Sequence, residues 1–282
     1  MLEEYVTNML ASKAIERTDR PVCGSIVFSV PRENSSKLRF ILDVKRLIRN
    51  IHCPKFKMTT LTLVRQCLPP GAWFASIDLS EAYYHVPVHR SFRRYLAFRI
   101  GDQTYRFRAM PFGLCVAPRI FTKLIDVLIG ELRSAGVFVI AYLVDWLVWG
   151  ESQSHCQANV TRCLVLLRDK GFVVNFSKSS LEPVQSIKYL DVIWDARECT
   201  FLLPEALQLK VVASLQDLFR RLVVSRRQLE RTIGLLNFAI LVDPTKRPLL
   251  NRLQSFLRDQ ATEDLRDLEV PMTEGLRAIL AM

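Results

Sequence analysis

The chain has 282 residues, 50% of them hydrophobic and 24% charged, a balance that excludes a disordered or fibrous protein and leaves room for one large core or two modest ones. Its 39 Lys and Arg against 28 Asp and Glu give a formal net charge of +11, which suits a polyanionic partner, nucleic acid being the commonest. The longest fully apolar run, Val137–Val144, is far short of the roughly 20 residues that cross a bilayer, and the start at Met1 has no secretory-signal pattern. No membrane segment is expected, and the protein reads as intracellular, nuclear or cytoplasmic.

Residues 2–16 carry helical spacing, with Tyr5, Met9 and Leu10 on one side. Ser25–Val30 and Leu38–Val44 read as the strands of a hairpin around the polar stretch 31–37, and Trp73–Leu79 as a short strand after Pro69-Pro70-Gly71. A second hairpin is expected from Tyr95–Ile100 and Thr104–Arg108 about Gly101-Asp102-Gln103. After Pro118, the residues Ile120, Phe121, Leu124, Ile125, Leu128, Ile129 and Leu132 recur at helical spacing until Gly136 stops the pattern. A helix over 155–170 ends before Gly171, and short strands follow at Phe172–Asn175, Ile187–Trp194 and Thr200–Leu203. From Pro204 the character turns helical. Leu207, Val211, Leu215, Leu218 and Leu222 make a stripe, and Ser225-Arg226-Arg227-Gln228 is a capping-box start.

The seven cysteines form no Cys-x-x-Cys pair and read as reduced, buried thiols. His85 and His89 lie in a stretch of strand-like pattern interrupted by Pro87 and are not expected to bind metal.

Chemistry concentrates at two places. Val139-Ile140-Ala141-Tyr142-Leu143-Val144-Asp145-Trp146-Leu147-Val148-Trp149 reads as strand, tight tip, strand, with one carboxylate at the tip. Ser76-Ile77-Asp78-Leu79 puts another at the end of an apolar strand. A single strand-end aspartate is more often a turn cap than a catalyst. Two such tips can meet and hold divalent cations, the arrangement that phosphoryl transfer by two Mg²⁺ ions about 3.5–4 Å apart requires.

The order of motifs carries a resemblance. Lys37-Leu38-Arg39-Phe40-Ile41-Leu42-Asp43, then Ser76 to Tyr83, Met110-Pro111-Phe112-Gly113-Leu114 with Ala117-Pro118 and Phe121, Tyr142-Leu143-Val144-Asp145, Asn175-Phe176-Ser177-Lys178-Ser179 and Tyr189-Leu190-Asp191 follow one another. The chain resembles, from about Ala11 to Phe256, the reverse transcriptases of retroelements of DIRS and LTR type. The resemblance implies an α+β right-hand polymerase fold, with fingers, a palm built on an antiparallel sheet, and a helical thumb. Residues 1–203 would supply fingers and palm, and 204–282 the thumb and the start of a connection. Within the first span, fingers would come from roughly 17–74 and 86–116 and the palm from 75–85 and 117–195.

The implied activity is RNA-directed DNA polymerisation on an RNA or DNA template–primer with deoxynucleoside triphosphates and Mg²⁺; the sequence leaves protein partners open. By position, Asp78 and Asp145 are the metal-binding and catalytic carboxylates. Lys178 protonates the leaving pyrophosphate. Arg32 and Arg39 grip the triphosphate, whose oxygens suit guanidinium geometry. Tyr83 lies under the sugar, and Phe112 and Gly113 form the turn that supports the nucleotide and template base.

Three positions depart from the family pattern. Val144 stands where the first hairpin aspartate belongs, so activity is expected to be lost or severely reduced. Asp191 replaces a glycine in the turn that grips the primer end, and Ile48 replaces an asparagine. Val144 and Asp191 are each one nucleotide from the expected codon, which fits a decaying copy, or a domesticated binder that has discarded catalysis. No Asp/Glu cluster suggests a second nuclease site in Leu257–Met282, and no RNase H domain is expected there.

Overall fold

A computed structural model describes residues 2–19, 24–31, 38–240, 242–259 and 269–271. Helix α1 (Leu2–Ala11) leads into strands β1 (Ile15–Arg17), β2 (Gly24–Ser25), β3 (Val27–Pro31) and β4 (Leu38–Leu42). Helices α2 (Lys45–Ile48) and α3 (Leu61–Cys67) precede β5 (Trp73–Asp78), a 3-10 turn at Ala82–His85 and α4 (Arg90–Arg93). Then come β6 (Ala97–Ile100), β7 (Gln103–Phe107), α5 (Ala117–Ser134), β8 (Val139–Tyr142), β9 (Asp145–Gly150) and α6 (Gln153–Asp169). Strands β10 (Ser180–Val184), β11 (Ser186–Tyr189), β12 (Val192–Asp195) and β13 (Thr200–Leu202) follow. Helix α7 (Glu205–Arg220), β14 (Val223–Ser225), α8 (Arg226–Ala239), α9 (Arg247–Asp259) and β15 (Glu269–Pro271) complete the described elements.

The elements divide into two units: Met1–Thr59 with Trp73–Val184, and Thr60–Ala72 with Gln185–Met282. The first is organised by the sheet β10-β5-β9-β8, antiparallel at every pairing. Helix α5 packs against β8, and α6 against β5, β9 and β10. Strand β9 is central, with Trp146, Leu147 and Val148 fully buried, so it reads as a continuous apolar run instead of an alternation. Ile77 on β5 lies opposite Trp146, and both join Phe121, Ile125 and Phe98 in the core. A second sheet, β1-β7-β6-β2, packs Ile15, Phe98 and Phe107 into the same core.

In the second unit, α7 and α8 pack with α9 around Leu218, Leu229, Ile233, Leu250, Leu253 and Leu257. In the same unit β11, β12 and β13 form an antiparallel meander. The Ser225 capping box is present: its hydroxyl accepts from the Gln228 N–H at 3.3 Å, and the Gln228 side chain accepts from the Ser225 N–H at 2.9 Å.

Several expectations need correction. The first helix stops at Ala11, because Lys13 turns left-handed (φ 58°) and Ile15 pairs with Phe107. Ile187–Trp194 is two strands, folded at Leu190 and Asp191 (φ 50° and 58°). The stretch 172–175 is not a strand and enters the β-structure through the isolated bridge of Val174 to Leu79, while β10 was not expected. Leu222 lies beyond the end of α7 and is 81% exposed; Ile120 and Leu124 on α5 are also exposed, the buried stripe being Phe121, Ile125, Leu128, Ile129 and Leu132. Residues 82–85 are a 3-10 turn and not strand-like.

The cysteines differ too. Cys53 and Cys115 form a disulfide across a sequence separation of 62, Cys67 and Cys199 are exposed, and among the described residues only Cys156 and Cys163 match the buried-thiol reading; Cys23 lies outside the described residues. Burial pushes both of those thiols up to about 12, which leaves them inert. A cross-link closing a loop of that size removes about 4 kcal/mol of unfolded-state entropy. Reduction with dithiothreitol should therefore lower Tm by about 10 °C, and Cys53→Ser with Cys115→Ser should lower it equally and make it insensitive to reductant. Equal melting of oxidised and reduced protein would show that the bond contributes nothing.

Candidate active site

Strands β5 and β9 run antiparallel in a register that pairs Trp73 with Gly150 at one end and Asp78 with Asp145 at the other. Directly opposed residues bring their Cβ atoms to about 4.5–5.5 Å, so the two carboxylates share one end of the sheet. Tyr142 is the cross-strand partner of Asp145 on the other side, and only Leu143 and Val144 lie between β8 and β9. The tip is thus Leu143-Val144, and Asp145 is the first residue of the returning strand. Leu143 takes φ 55°, a left-handed value uncommon for leucine, which a two-residue hairpin demands at its first central position. Val144 is half-buried against the core, and its carbonyl accepts from the Leu79 N–H at 3.0 Å.

Asp78 is held by a ring of polar contacts that the sequence did not single out. Its N–H donates to Ser179 Oγ at 3.0 Å, the Ser179 hydroxyl donates to the Asn175 carbonyl at 2.8 Å, and the Asn175 N–H donates to the Asp78 carbonyl at 2.8 Å. Burial pushes the Asp78 carboxyl above the ordinary carboxylate range, opposed by the Lys178 ammonium and a hydrogen bond from the Asn175 side chain. The signal was present in the run Asn175 to Ser179, where only Lys178 had been given a role.

That raised value has a stability consequence with a definite sign. The folded state holds the Asp78 proton more tightly than the unfolded chain, so stability falls as pH rises through the folded value. Asp78→Asn should raise Tm by a few degrees at neutral pH, and the gain should vanish once pH drops below the ordinary carboxylate range. A melting curve series from pH 3 to 8 measures this, and a gain that is constant across the series would refute it.

The remaining expected residues fall unevenly. Tyr83 packs on Phe112 (ring centroids 4.9 Å) and edge-on to Phe121 (5.6 Å), and burial, followed by the nearby Tyr142, raises its hydroxyl above the ordinary range. Gly113 follows Phe112 at φ 102°, and a Cβ there would meet the Leu42 carbonyl at 3.0 Å and Val44 at 3.5 Å, so the turn requires glycine. Lys178 is exposed beside Asp78. Arg39 lies on β4, opposite Val30 in the hairpin with β3. Arg32 lies outside the described residues. Asp78, Asp145, Lys178, Tyr83, Phe112 and Gly113 all belong to the first unit.

The model of the reverse transcriptase (RNA-dependent DNA polymerase) family matches residues 30–194, more than half of the chain. The chain belongs to the reverse transcriptase family. Protein P of heron hepatitis B virus is 29% identical over 161 residues, 56% of this chain and 20% of the viral protein. The retrovirus-related Pol polyprotein from transposon 412 of Drosophila melanogaster is 20% identical over 179 residues, 64% of this chain and 14% of the polyprotein. The chain thus spans a fifth or less of these relatives' length. Among solved structures, the foamy viral protease–reverse transcriptase dRH in complex with double-stranded DNA superimposes with a TM-score of 0.79 at 17% identity, over 99% of this chain and 46% of that one. The foamy viral protease–reverse transcriptase in complex with an RNA/DNA hybrid gives 0.72 at 16%, over 99% and 36%. The fold is the α+β right-hand polymerase fold.

For a reverse transcriptase the donor set is thin. Among the described residues no group of three or more His, Cys, Asp and Glu could hold a metal ion. Two opposed carboxylates, with a valine at the hairpin position that precedes Asp145, do not fit a two-ion centre. At the β11–β12 turn, Asp191 takes φ 58° and forms an exposed ion pair with Lys188 at 3.0 Å. The turn keeps the left-handed backbone that a glycine would adopt without strain. Among the described residues no helix is long and apolar enough to cross a membrane.

Proposed function

We propose that this chain is the RNA-directed DNA polymerase domain of a retrotransposable element in which nucleotidyl transfer is disabled and template–primer binding is kept. The observation that carries the reading is the register of β5 on β9: it opposes Asp78 to Asp145, while the adjoining hairpin position is Val144. The family's Mg²⁺ pair would supply charge neutralisation at the transferred phosphate, and the residues present do not fit it. Asp78 and Asp145 are the remaining catalytic and metal-binding carboxylates. Lys178 and Arg39, with Arg32, offer cations to the triphosphate of a deoxynucleotide. The aromatic wall of Tyr83 on Phe112 gives the sugar a flat surface, and the Gly113 turn sets the position of that wall.

In this reading fingers and palm occupy 1–203 and the thumb and the start of a connection 204–282. An RNA or DNA template–primer is the partner, in keeping with the duplexes carried by the foamy viral enzymes and with the net charge of +11. The test is primer extension on an RNA template with Mg²⁺ or Mn²⁺, comparing the chain with its Val144→Asp and Asp78→Ala forms, alongside filter binding of the same hybrid. The expected pattern is binding by all three and extension by Val144→Asp alone. Extension by the unmodified chain that Asp78→Ala abolishes would mean that Asp78 and Asp145 suffice.

A further inference from the structure

Between His89 and Met110 the sequence holds six arginines and one aspartate. The fold gathers half of those arginines onto one carboxylate. Glu16 on β1 lies opposite Arg106 on β7. Its Oε1 accepts from Arg106 Nε at 2.7 Å, while Oε2 is 3.5 Å from Arg108 Nε and 3.6 Å from an Arg93 Nη. Arg93 is additionally tied down through Nε to the Val88 carbonyl at 3.0 Å. The side chains of Arg106 and Arg108 are 32% and 40% exposed, against 25% for Glu16, so the cluster is firmly seated yet open to solvent on its arginine side.

The charge and donor counts are unbalanced. A carboxylate offers about four lone-pair sites, whereas three guanidinium groups present about fifteen N–H donors. One negative charge among three positive ones leaves a surplus of two, at a place where like charges are held together by strand register. A bridge that served only to fasten β1 to β7 would need one arginine. Farther along the same sheet Arg99 faces solvent, donating through Nε to the Gly101 carbonyl at 2.8 Å and pairing with the exposed Asp102 at 3.2 Å.

We propose that this arginine-faced surface of the β1–β7–β6 sheet binds the phosphodiester backbone of a nucleic-acid strand, with Glu16 as a built-in competitor that the phosphate displaces in part. Forked guanidinium groups suit phosphate oxygens, and a strand can span both the Glu16 cluster and Arg99 where a single small anion cannot. The inference rests on the nucleic-acid half of the proposed function and is independent of its catalytic half.

The test is equilibrium binding of a labelled single strand and of a blunt duplex between 50 and 300 mM salt, with inorganic triphosphate as competitor. Arg106→Gln with Arg108→Gln should weaken binding about tenfold at the lowest salt and make the salt dependence shallower by about one to two in log–log slope. Glu16→Gln should act in the opposite direction, tightening binding about threefold, because it adds one net positive charge and releases guanidinium donors. A purely structural cluster predicts no tightening by Glu16→Gln, and that result, with circular dichroism showing all variants folded, would overturn the proposal. Complete displacement of the strand by stoichiometric triphosphate would overturn it as well, since the surface would then be a small-anion site. Primer extension by Val144→Asp reports separately on the catalytic reading, whatever the arginine variants do.

Discussion

Val144→Asp should raise primer extension by about 10²–10⁴-fold over the unmodified protein. A missing carboxylate in a two-ion centre removes several kcal/mol of transition-state stabilisation, and each 1.36 kcal/mol is about tenfold in rate. The backbone is already in place for the exchange. The Val144 carbonyl is fixed by the Leu79 N–H, and the two-residue turn is set by Leu143 at φ 55°, so residue 144 is held at the hairpin tip next to Asp145 and the backbone needs no rebuilding. The exchange has a cost that is also measurable. A third carboxylate beside two opposed ones adds like-charge repulsion of about 1 kcal/mol. Val144→Asp should therefore melt lower than the parent chain without divalent ions and recover when Mg²⁺ is added, because an ion that binds only the folded state stabilises it. The parent chain should show little such recovery. Equal extension by both proteins would mean that the hairpin valine does not limit catalysis.

Gly113→Ala should cost about 2–4 kcal/mol of stability and lower Tm by at least about 5 °C. Two physical effects add at this position. A φ of 102° is outside what an L side chain adopts without strain, and the new Cβ would lie 3.0 Å from the Leu42 carbonyl, a backbone atom that cannot swing aside. The neighbouring packing spreads the damage to the site. Phe112 lies on Tyr83 at 4.9 Å and edge-on to Tyr84 at 5.8 Å, so a shift of the turn displaces the aromatic wall. Urea denaturation with tryptophan fluorescence measures the loss, and a change below about 0.5 kcal/mol would show that the turn relaxes freely. Gly101, also at positive φ, has open space where a Cβ would lie, so Gly101→Ala should cost clearly less and serves as the control.

Much of the site was legible because it is written in contiguous runs. The hairpin from Val139 to Trp149 announces itself by two apolar strands around a short tip, and the strand before Asp78 by its apolar residues after Pro69-Pro70-Gly71. Helix α5 and the Ser225 capping box could be read because helical periodicity and capping are local properties. Pairwise geometry was not legible. Nothing local says that Ser179 would receive the Asp78 N–H from 101 residues away, or that Cys53 would meet Cys115. The stripe read through Leu222 failed for a related reason: spacing continues past Arg220, but the chain does not continue as a helix.

The sequence by itself determined the family, the order of the motifs and the valine in place of an aspartate, because these are identities at positions along one dimension. The tertiary structure alone decided which residues act on one another. It set the register that opposes Asp78 to Asp145, the contact that forbids a side chain at 113, and the gathering of Arg93, Arg106 and Arg108 on Glu16. Strand register and loop closure bring together groups tens of residues apart. Their energies depend on distance and burial, which no local pattern of residues encodes.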